Sequence, residues 1–523
     1  MLHMQGLTRW LSLLVTVTTT LAGPITVNIT SGSWTGVDED GVMSFKGVRF
    51  GEAPVGHLRF EPPVPFVSSA TKASDATRLG PSCIQKFING FHEMLFNNPQ
   101  DPPEEDEDCL FLNVWAPSGS ASQENIKKPV LIWFFGGGLV FGTASLPAYD
   151  GTSLAKNQDI IVVTINYRTN IFGFPSSPEL PLEANNLGFL DQELAMAWVK
   201  ENIVQFGGDP EQVSIMGQSG GAFSVASALL RHSADDAPFR AGILISGASP
   251  DLSPTPSFTT FNEVSTALGC DQSPGDERLA CLRNVPAETI RTFINGPGAH
   301  LSYGRPVADN VTAFANNMER LQSGDVAQVP IYIGNTQDDG SLFAVGQSNL
   351  TAFLDGIGAS AAQITPYDVR SVYPDLNDSA VIAASLREIM FTCSASLWAA
   401  RYADVSTVFR YEYGAAFADL QVFPNAGAWH WTDLQEIFGN YNASTASPDE
   451  VELSKTYQTI VANFIKAPNT SPAPNWPKYV PGSQNVARIA YKGNVELNNV
   501  VETVQNDLLD APCALWNRLD STI

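Results

Sequence analysis

The chain is 523 residues long and carries 54 acidic against 29 basic side chains, a formal net charge of −25. That balance argues against nucleic acid or an anionic membrane as a partner, because phosphate recognition needs clustered Lys and Arg. The length exceeds an average single domain, yet no internal repeat, low-complexity tract or long linker divides it. Residues 23–523 therefore read as one large domain with insertions.

Residues 1–22 hold a single basic side chain, Arg9, an apolar run over 11–21 and the small-residue stretch Thr20-Leu21-Ala22. This is the pattern of a secretory signal peptide cut before Gly23. The run is shorter than the roughly 20 apolar residues a membrane span needs, and threonines dilute it. Export agrees with six Asn-x-Ser/Thr sequons, at Asn28, Asn310, Asn349, Asn377, Asn442 and Asn469, each a candidate for N-glycosylation. Six cysteines in an exported chain imply three disulfides, and spacing alone does not select the pairing.

Next along the chain, residues 25–50 alternate apolar and polar side chains around Asp40-Gly41, which predicts an antiparallel hairpin. The densest charge run, Glu104-Glu105-Asp106-Glu107-Asp108, reads as a solvated loop. Apolar strand candidates then recur between helical stretches, at 130–135, 160–165, 213–216, 241–245, 329–333 and 408–411. Continuous hydrophobic strands separated by helices predict a buried, mostly parallel sheet. In such sheets the loops at the carboxyl ends of the strands build sites.

Three of those loops carry chemistry. Trp133-Phe134-Phe135-Gly136-Gly137-Gly138 ends a strand in glycines whose amides can approach an oxyanion without Cβ interference. A phosphate cradle is the rival reading, but a P-loop closes in Gly-Lys-Ser/Thr, and Gly142 is followed by Thr143 with no lysine. Ser214-Ile215-Met216-Gly217-Gln218-Ser219-Gly220-Gly221 sets a serine between glycines where a strand gives way to a helix over 222–230. This is the pattern of a nucleophile elbow. Ser219 is the candidate nucleophile, and Gly137, Gly138 and Gly220 are the candidate oxyanion donors.

A serine hydroxyl needs a base, and histidine is the side chain suited to neutral water. Of six histidines, His3 leaves with the signal, His57 and His92 precede the serine, and His232 follows it at the end of the elbow helix. His300 and His430 remain. Nucleophile elbows of this kind are followed by the acid, on a loop after a strand, and then the histidine. The strand at 329–333 runs into Asp338-Asp339-Gly340, and only His430 follows. Taken singly, Asp-Asp-Gly is an ordinary turn and His430, between Trp429 and Trp431, an ordinary packed histidine. Chain order and loop placement together select Ser219, Asp339 and His430, with Asp338 the weaker alternative acid. No His-Glu-x-x-His motif or cysteine pair with ligand spacing implies a metal, and no cofactor is implied.

Over almost its whole mature length the chain resembles the type-B carboxylesterase, cholinesterase and fungal lipase family. The matching motifs run in family order. They are Asp106-Glu107-Asp108-Cys109-Leu110-Phe111-Leu112-Asn113-Val114-Trp115, the triple glycine, Asn186-Leu187-Gly188-Phe189-Leu190-Asp191-Gln192, Phe206-Gly207-Gly208-Asp209-Pro210, the elbow, and the segment from His430 to Phe438-Gly439. The resemblance implies an α/β-hydrolase fold, with a large, mostly parallel sheet flanked by helices. It also implies sequential disulfides, Cys83 with Cys109, Cys270 with Cys281 and Cys393 with Cys513, and an ion pair between Arg59 and Glu107. The activity it implies is secreted serine carboxylic-ester hydrolysis through an acyl-enzyme, on a small-molecule or lipid-like ester and without a stable membrane anchor.

The chain departs from the family at several positions. Asp339 stands where the family usually has Glu, and Gln218 and Gly220 replace the commoner Glu and Ala. Glu93-Met94-Leu95-Phe96 lies where cholinesterases carry a choline-stacking Trp, and Phe is the weaker cation-π partner. Cholinesterase activity is therefore disfavoured. The Cys83 to Cys109 loop is shorter than the lid typical of fungal lipases, which favours short-to-medium acyl or aryl esters. Its apolar stripe of Ile84, Phe87, Ile88, Phe91, Met94 and Leu95 leaves a lidded lipase or sterol esterase as the alternative. A non-catalytic binding domain is the alternative from another class.

Overall fold

The computed structural model describes residues 23–87, 93, 104–122, 126–248, 251–297, 303–483 and 485–520. The signal segment, His92, His300, and Ile88, Phe91, Met94, Leu95 and Phe96 of the Cys83 to Cys109 loop lie outside the described residues.

The amino-terminal hairpin is one strand richer than predicted. β1 (Gly23–Ile29), β2 (Gly32–Glu39) and β3 (Val42–Arg49) form an antiparallel meander. Asp40 and Gly41 both take positive φ, 52° and 86°, the left-handed pair a tight hairpin turn requires. A second turn, through Thr30 and Ser31, closes β1 on β2 with Gly32 at φ 121°, a Ser-Gly signal left unread beside Asp40-Gly41.

The remaining strands are β4 (Ser74–Asp75), β5 (Phe111–Pro117), β6 (Lys128–Phe134), β7 (Ile161–Ile165), β8 (Gly208–Gln218), β9 (Ala241–Ile245), β10 (Ile331–Thr336), β11 (Val408–Tyr413), β12 (Val486–Ile489) and β13 (Val501–Val504). They make one mixed sheet in the order 1-2-3-5-7-6-8-9-10-11-12-13, with β4 beside β2. From β7 through β12 every pairing is parallel. β7, β9, β10 and β11 are buried at every residue; β7 and β9 read as nearly continuous apolar runs, whereas β10 ends in Asn335-Thr336 and β11 carries buried Arg410 and Glu412.

Each strand feeds two cores, one on either face. Val130, Ile132, Ile161, Val163, Ile215, Ile331 and Ile333 point to one. Leu131, Trp133, Val162, Met216, Ile243, Tyr332 and Tyr411 point to the other. Helices α1 (Leu187–Asn202), α2 (Gly220–Arg231), α3 (Asp378–Arg387), α4 (Cys393–Tyr402), α5 (Thr432–Phe438) and α6 (Pro448–Lys466) flank them. The first core takes Val225 and Leu229 of α2 and Trp398 of α4, and the second takes Tyr457, Ile460 and Phe464 of α6. A Val, Leu, Ile or Phe side chain so buried contributes about 1.5–3 kcal/mol. A capping box starts α6: the Ser447 hydroxyl accepts from Glu450 N while the Glu450 carboxylate accepts from Ser447 N.

Residues 378–402 are long and apolar enough to cross a membrane. They are instead broken by a π-helical turn, Glu388–Thr392, and pack Ala395, Trp398 and Tyr402 into the core.

The disulfides are Cys83–Cys109, Cys270–Cys281 and Cys393–Cys513, the sequential pairing that the resemblance implied, with Cα separations of 4.9, 5.6 and 5.4 Å. The acidic run does not behave as a solvated loop. Glu105 pairs with Arg291, Glu107 makes a two-pronged bond to Arg59 at 2.6 Å for each prong, and Asp108 pairs with Arg49. Arginines from three separate segments thus hold this strap beside Cys109, where charge pairing wins over solvation.

Candidate active site

At the carboxyl end of β8 the chain turns sharply into α2. Ser219 occupies the turn with φ 56° and ψ −120°, a conformation that costs an L-residue about 1–3 kcal/mol. Ser219 N donates to Ile245 O on β9 at 2.9 Å, and Phe223 N returns to Ser219 O at 2.9 Å. The flanking glycines are steric requirements. A Cβ on Gly217 would overlap the Gly221 carbonyl, and one on Gly221 would overlap the Phe134 carbonyl at the end of β6.

The glycine turn after β6 faces this elbow. Gly137 and Gly138 take φ 115° and 61°, and their amides donate to no acceptor among the described residues. Gly220 is the first residue of α2, so its N–H has no intrahelical partner. A Cβ placed on Gly220 would lie 2.9 Å from both Gly138 N and Leu139 N, so the amides of turn and elbow converge. Gln85 braces the turn, its Oε1 accepting from Gly142 N at 2.6 Å and its Nε2 donating to Gly142 O at 3.0 Å. Tyr167 adds a bond from its hydroxyl to Phe135 O at 2.7 Å.

The third component is a loop pair. Asp339, fully buried just beyond β10, sets Oδ1 2.7 Å from His430 Nδ1, while its Oδ2 accepts from Thr336 N at 3.0 Å. Asp338 does a different job, accepting from Ala428 N at 2.9 Å and so pinning the loop that delivers His430. The geometry favours Asp339 over Asp338 as the partner of the imidazole. Phe391, in the π-helical turn, stacks on the His430 ring at 4.6 Å, and Phe343 packs edge-on at 5.1 Å. His232 is engaged elsewhere, with Glu193 at 3.1 Å.

His430 Nε2 faces Gln218 Nε2 at 3.0 Å. The Asp339 carboxylate against Nδ1 can only accept, so Nδ1 carries the proton and Nε2 is the ring's acceptor. That is the tautomer a general base needs. Among the described residues no hydrogen bond joins His430 to Ser219.

Behind Asp339 lie two more buried carboxyls. Burial, and then the Asp339 charge, push Asp433 up to about 8. Burial, and then the charge of Glu450, push Glu436 up to about 9. Both carboxyls therefore hold their protons well above the usual carboxylate range. The single grouping with metal-ligand proximity among the described residues, Glu388 with Cys393 and Cys513, has its two sulfurs bonded to each other.

From the sequence Gln218 stood only as a departure from the family pattern, without its contact to His430, and Phe391, Asp433 and Glu436 were not foreseen at the site. Gln218 was visible inside the elbow motif itself. The others had no local signal, because Phe391 reaches the histidine through a helix on another part of the chain.

A serine on a strand-turn-helix elbow, unengaged backbone amides opposite it and an Asp-His pair on the following loops, all along one edge of a mostly parallel sheet, define an α/β-hydrolase. The carboxylesterase family model matches residues 22–516, and the chain belongs to that family. It is 31% identical to secreted lipase 1 of Botryotinia fuckeliana, across 85% of each chain. It is also 31% identical to the para-nitrobenzyl esterase of Bacillus subtilis, across 86% of this chain and 91% of that one. A solved PNB esterase structure superposes with a TM-score of 0.78 at 28% identity, covering 94% of this chain and 99% of the other. The protein is a carboxylic ester hydrolase.

Proposed function

We propose that residues 23–523 act as one secreted catalytic domain that hydrolyses short-to-medium acyl or aryl esters through an acyl-enzyme on Ser219. His430 takes the serine proton, the hydroxyl attacks the ester carbonyl, and the oxyanion rests on the amides of Gly137, Gly138 and Gly220. Asp339 orients the imidazole and stabilises its charged form. His430 then protonates the leaving alcohol, and water repeats the sequence to free the acid.

The observation that carries this reading is the convergence of unengaged amides on the strained Ser219, beside a histidine already in the basic tautomer. Export is supported by the signal-like segment, by three disulfides, and by the exposure of all six sequon asparagines, which keeps each open to a glycan. Ile84 and Phe87, the described members of the apolar stripe, are buried, Phe87 against Phe141 at 5.4 Å. Both pack as core residues, Ile84 with Phe60 and Phe172 and Phe87 with Val140 and Phe141.

Rates on p-nitrophenyl esters from acetate to palmitate, below and above their solubility limits, test the substrate class. Fast acetate and butyrate turnover without interfacial activation is expected. A rise toward palmitate above solubility would make the protein a lipase instead. Fluorophosphonate labelling of Ser219 is expected as well, and a folded protein that takes no label would be a binding domain.

A further inference from the structure

A cleft of about 1130 Å³ opens beside the loop that bears Asp338 and Asp339. Its walls come from three segments: residues 337–348 beyond β10, residues 373–387 running into α3, and residues 423–425 ahead of His430. Ala344 and Tyr373 in its wall belong to one small core, and Phe423 to another that also holds Leu342, Ala426 and Trp429. Phe423 packs on Trp429, the residue before His430, with ring centres 5.6 Å apart. A group that covers the cleft therefore bears on the histidine loop.

The charges along the cleft are already engaged. Arg387 pairs with Glu388 and donates to Gln337 O, Asp378 pairs with Arg370, and Asp338 accepts from Ala428 N. What stays open is neutral. The side chains of Gln337, Ser348 and Asn425 have no partner among the described residues, and Val345 and Leu376 are 49% and 39% exposed. Amides and a hydroxyl beside apolar surface suit a neutral saccharide, whose hydroxyls both donate and accept and whose ring faces carry C–H groups.

Of the six sequon asparagines, Asn377 lines this cleft. Its Oδ1 accepts from Ala380 N at 3.0 Å and so caps α3, while its Nδ2 has no partner among the described residues. A glycan on Nδ2 leaves the amide oxygen, and with it the cap, in place. We propose that Asn377 is glycosylated and that its glycan lies along the cleft, strapping residues 337–348 to the loop that delivers His430. The inference rests on the export reading above. Attachment forms a bond from Nδ2 to the anomeric carbon of the first N-acetylglucosamine and breaks that carbon's bond to a lipid-linked diphosphate donor, which leaves with one Nδ2 proton. Tethered there, the saccharide meets the cleft at an effective concentration of about millimolar, so individually weak contacts suffice to seat it.

The test uses the full chain secreted from a eukaryotic host, as wild type, Asn377→Asp, Ser379→Ala and Ser379→Thr. Asp keeps an acceptor for Ala380 N, Ser379→Ala removes the sequon and the Ser379 Oγ bond to Gln347 O, and Thr preserves the sequon. The first two variants thus share only the loss of the glycan. Glycopeptide mass spectrometry is expected to find a glycan at Asn377 in wild type and in Ser379→Thr. An endoglycosidase that cuts within the core N-acetylglucosamine pair should trim it on the folded enzyme at least about tenfold more slowly than the glycans at other sequons. Both glycan-free variants should melt several degrees below wild type. An unmodified Asn377 beside occupied sequons overturns the proposal, and so do trimming at the rate of the other sites and variants that melt with wild type. If the variants do not fold, the trimming comparison on wild type decides alone. If Asn377 is unmodified and added chitotriose raises the melting temperature, the cleft takes its saccharide from solution and the covalent assignment falls. Absence of glycan from all six sequons would remove the export reading as well, so the two failures are distinguishable.

Discussion

The elbow and the histidine loop meet at one sheet edge but are built by opposite means. Around Ser219 backbone packs on backbone: Gly217 against Gly221, Gly221 against the Phe134 carbonyl, Gly220 against the amides of the glycine turn. Around His430 side chains do the holding. Asp338 pins Ala428, Asp339 and Gln218 take the two ring nitrogens, and Phe391 covers the ring face. A site held by sterics rejects any added atom, whereas one held by polar contacts tolerates volume and fails when a donor or acceptor changes.

The largest effect separates chemistry from scaffold. Ser219→Ala is expected to lower kcat by roughly 10⁴-fold or more while the melting temperature stays level, as read by ester hydrolysis and calorimetry. Near wild-type turnover would end the assignment.

The two neighbouring acids form the next contrast. Asp339→Asn should cost about 10³- to 10⁴-fold in kcat, because an amide can donate to Nδ1 and so favours the wrong tautomer. Asp338→Asn keeps an acceptor for Ala428 N and should cost less than about tenfold. Equal losses would erase the distinction drawn between them.

Gly220→Ala probes the steric side. The added methyl would crowd Gly138 N and Leu139 N, so kcat should fall about 10- to 100-fold with KM little changed. A fully active alanine variant would show that the glycine turn can shift.

The smallest effect concerns stability. The folded chain holds protons on Asp433, up to about 8, and on Glu436, up to about 9, that an unfolded chain releases near pH 4. The native state thus binds more protons between those limits, and stability falls as pH rises through that window. The melting temperature should be several degrees lower at pH 8.5 than at pH 5, and Glu436→Gln should flatten part of that slope. A flat profile in wild type would mean these carboxyls ionise without cost.

Much of this architecture was legible in advance. The buried parallel strands announced themselves as apolar runs, and 241–245 was placed to the residue. β5 went unread as a strand because its residues were absorbed by a motif, and β12 and β13 because each has four residues and no clear period. The solvated reading of residues 104–108 failed because their arginine partners lie 48 to 186 positions away.

By itself the sequence determined where the reacting groups could stand. Glycine spacing around Ser219, the order of serine, acid and histidine, and strand periodicity are local properties, and local sterics enforce them. Only the tertiary structure decided that Gln218 meets His430 across 212 positions, that Asp338 pins a loop while Asp339 contacts the ring, and that burial raises the carboxyls of Asp433 and Glu436 beneath them. Those outcomes depend on burial and on partners brought together by sheet closure, which sets their dielectric surroundings and hydrogen-bond geometry.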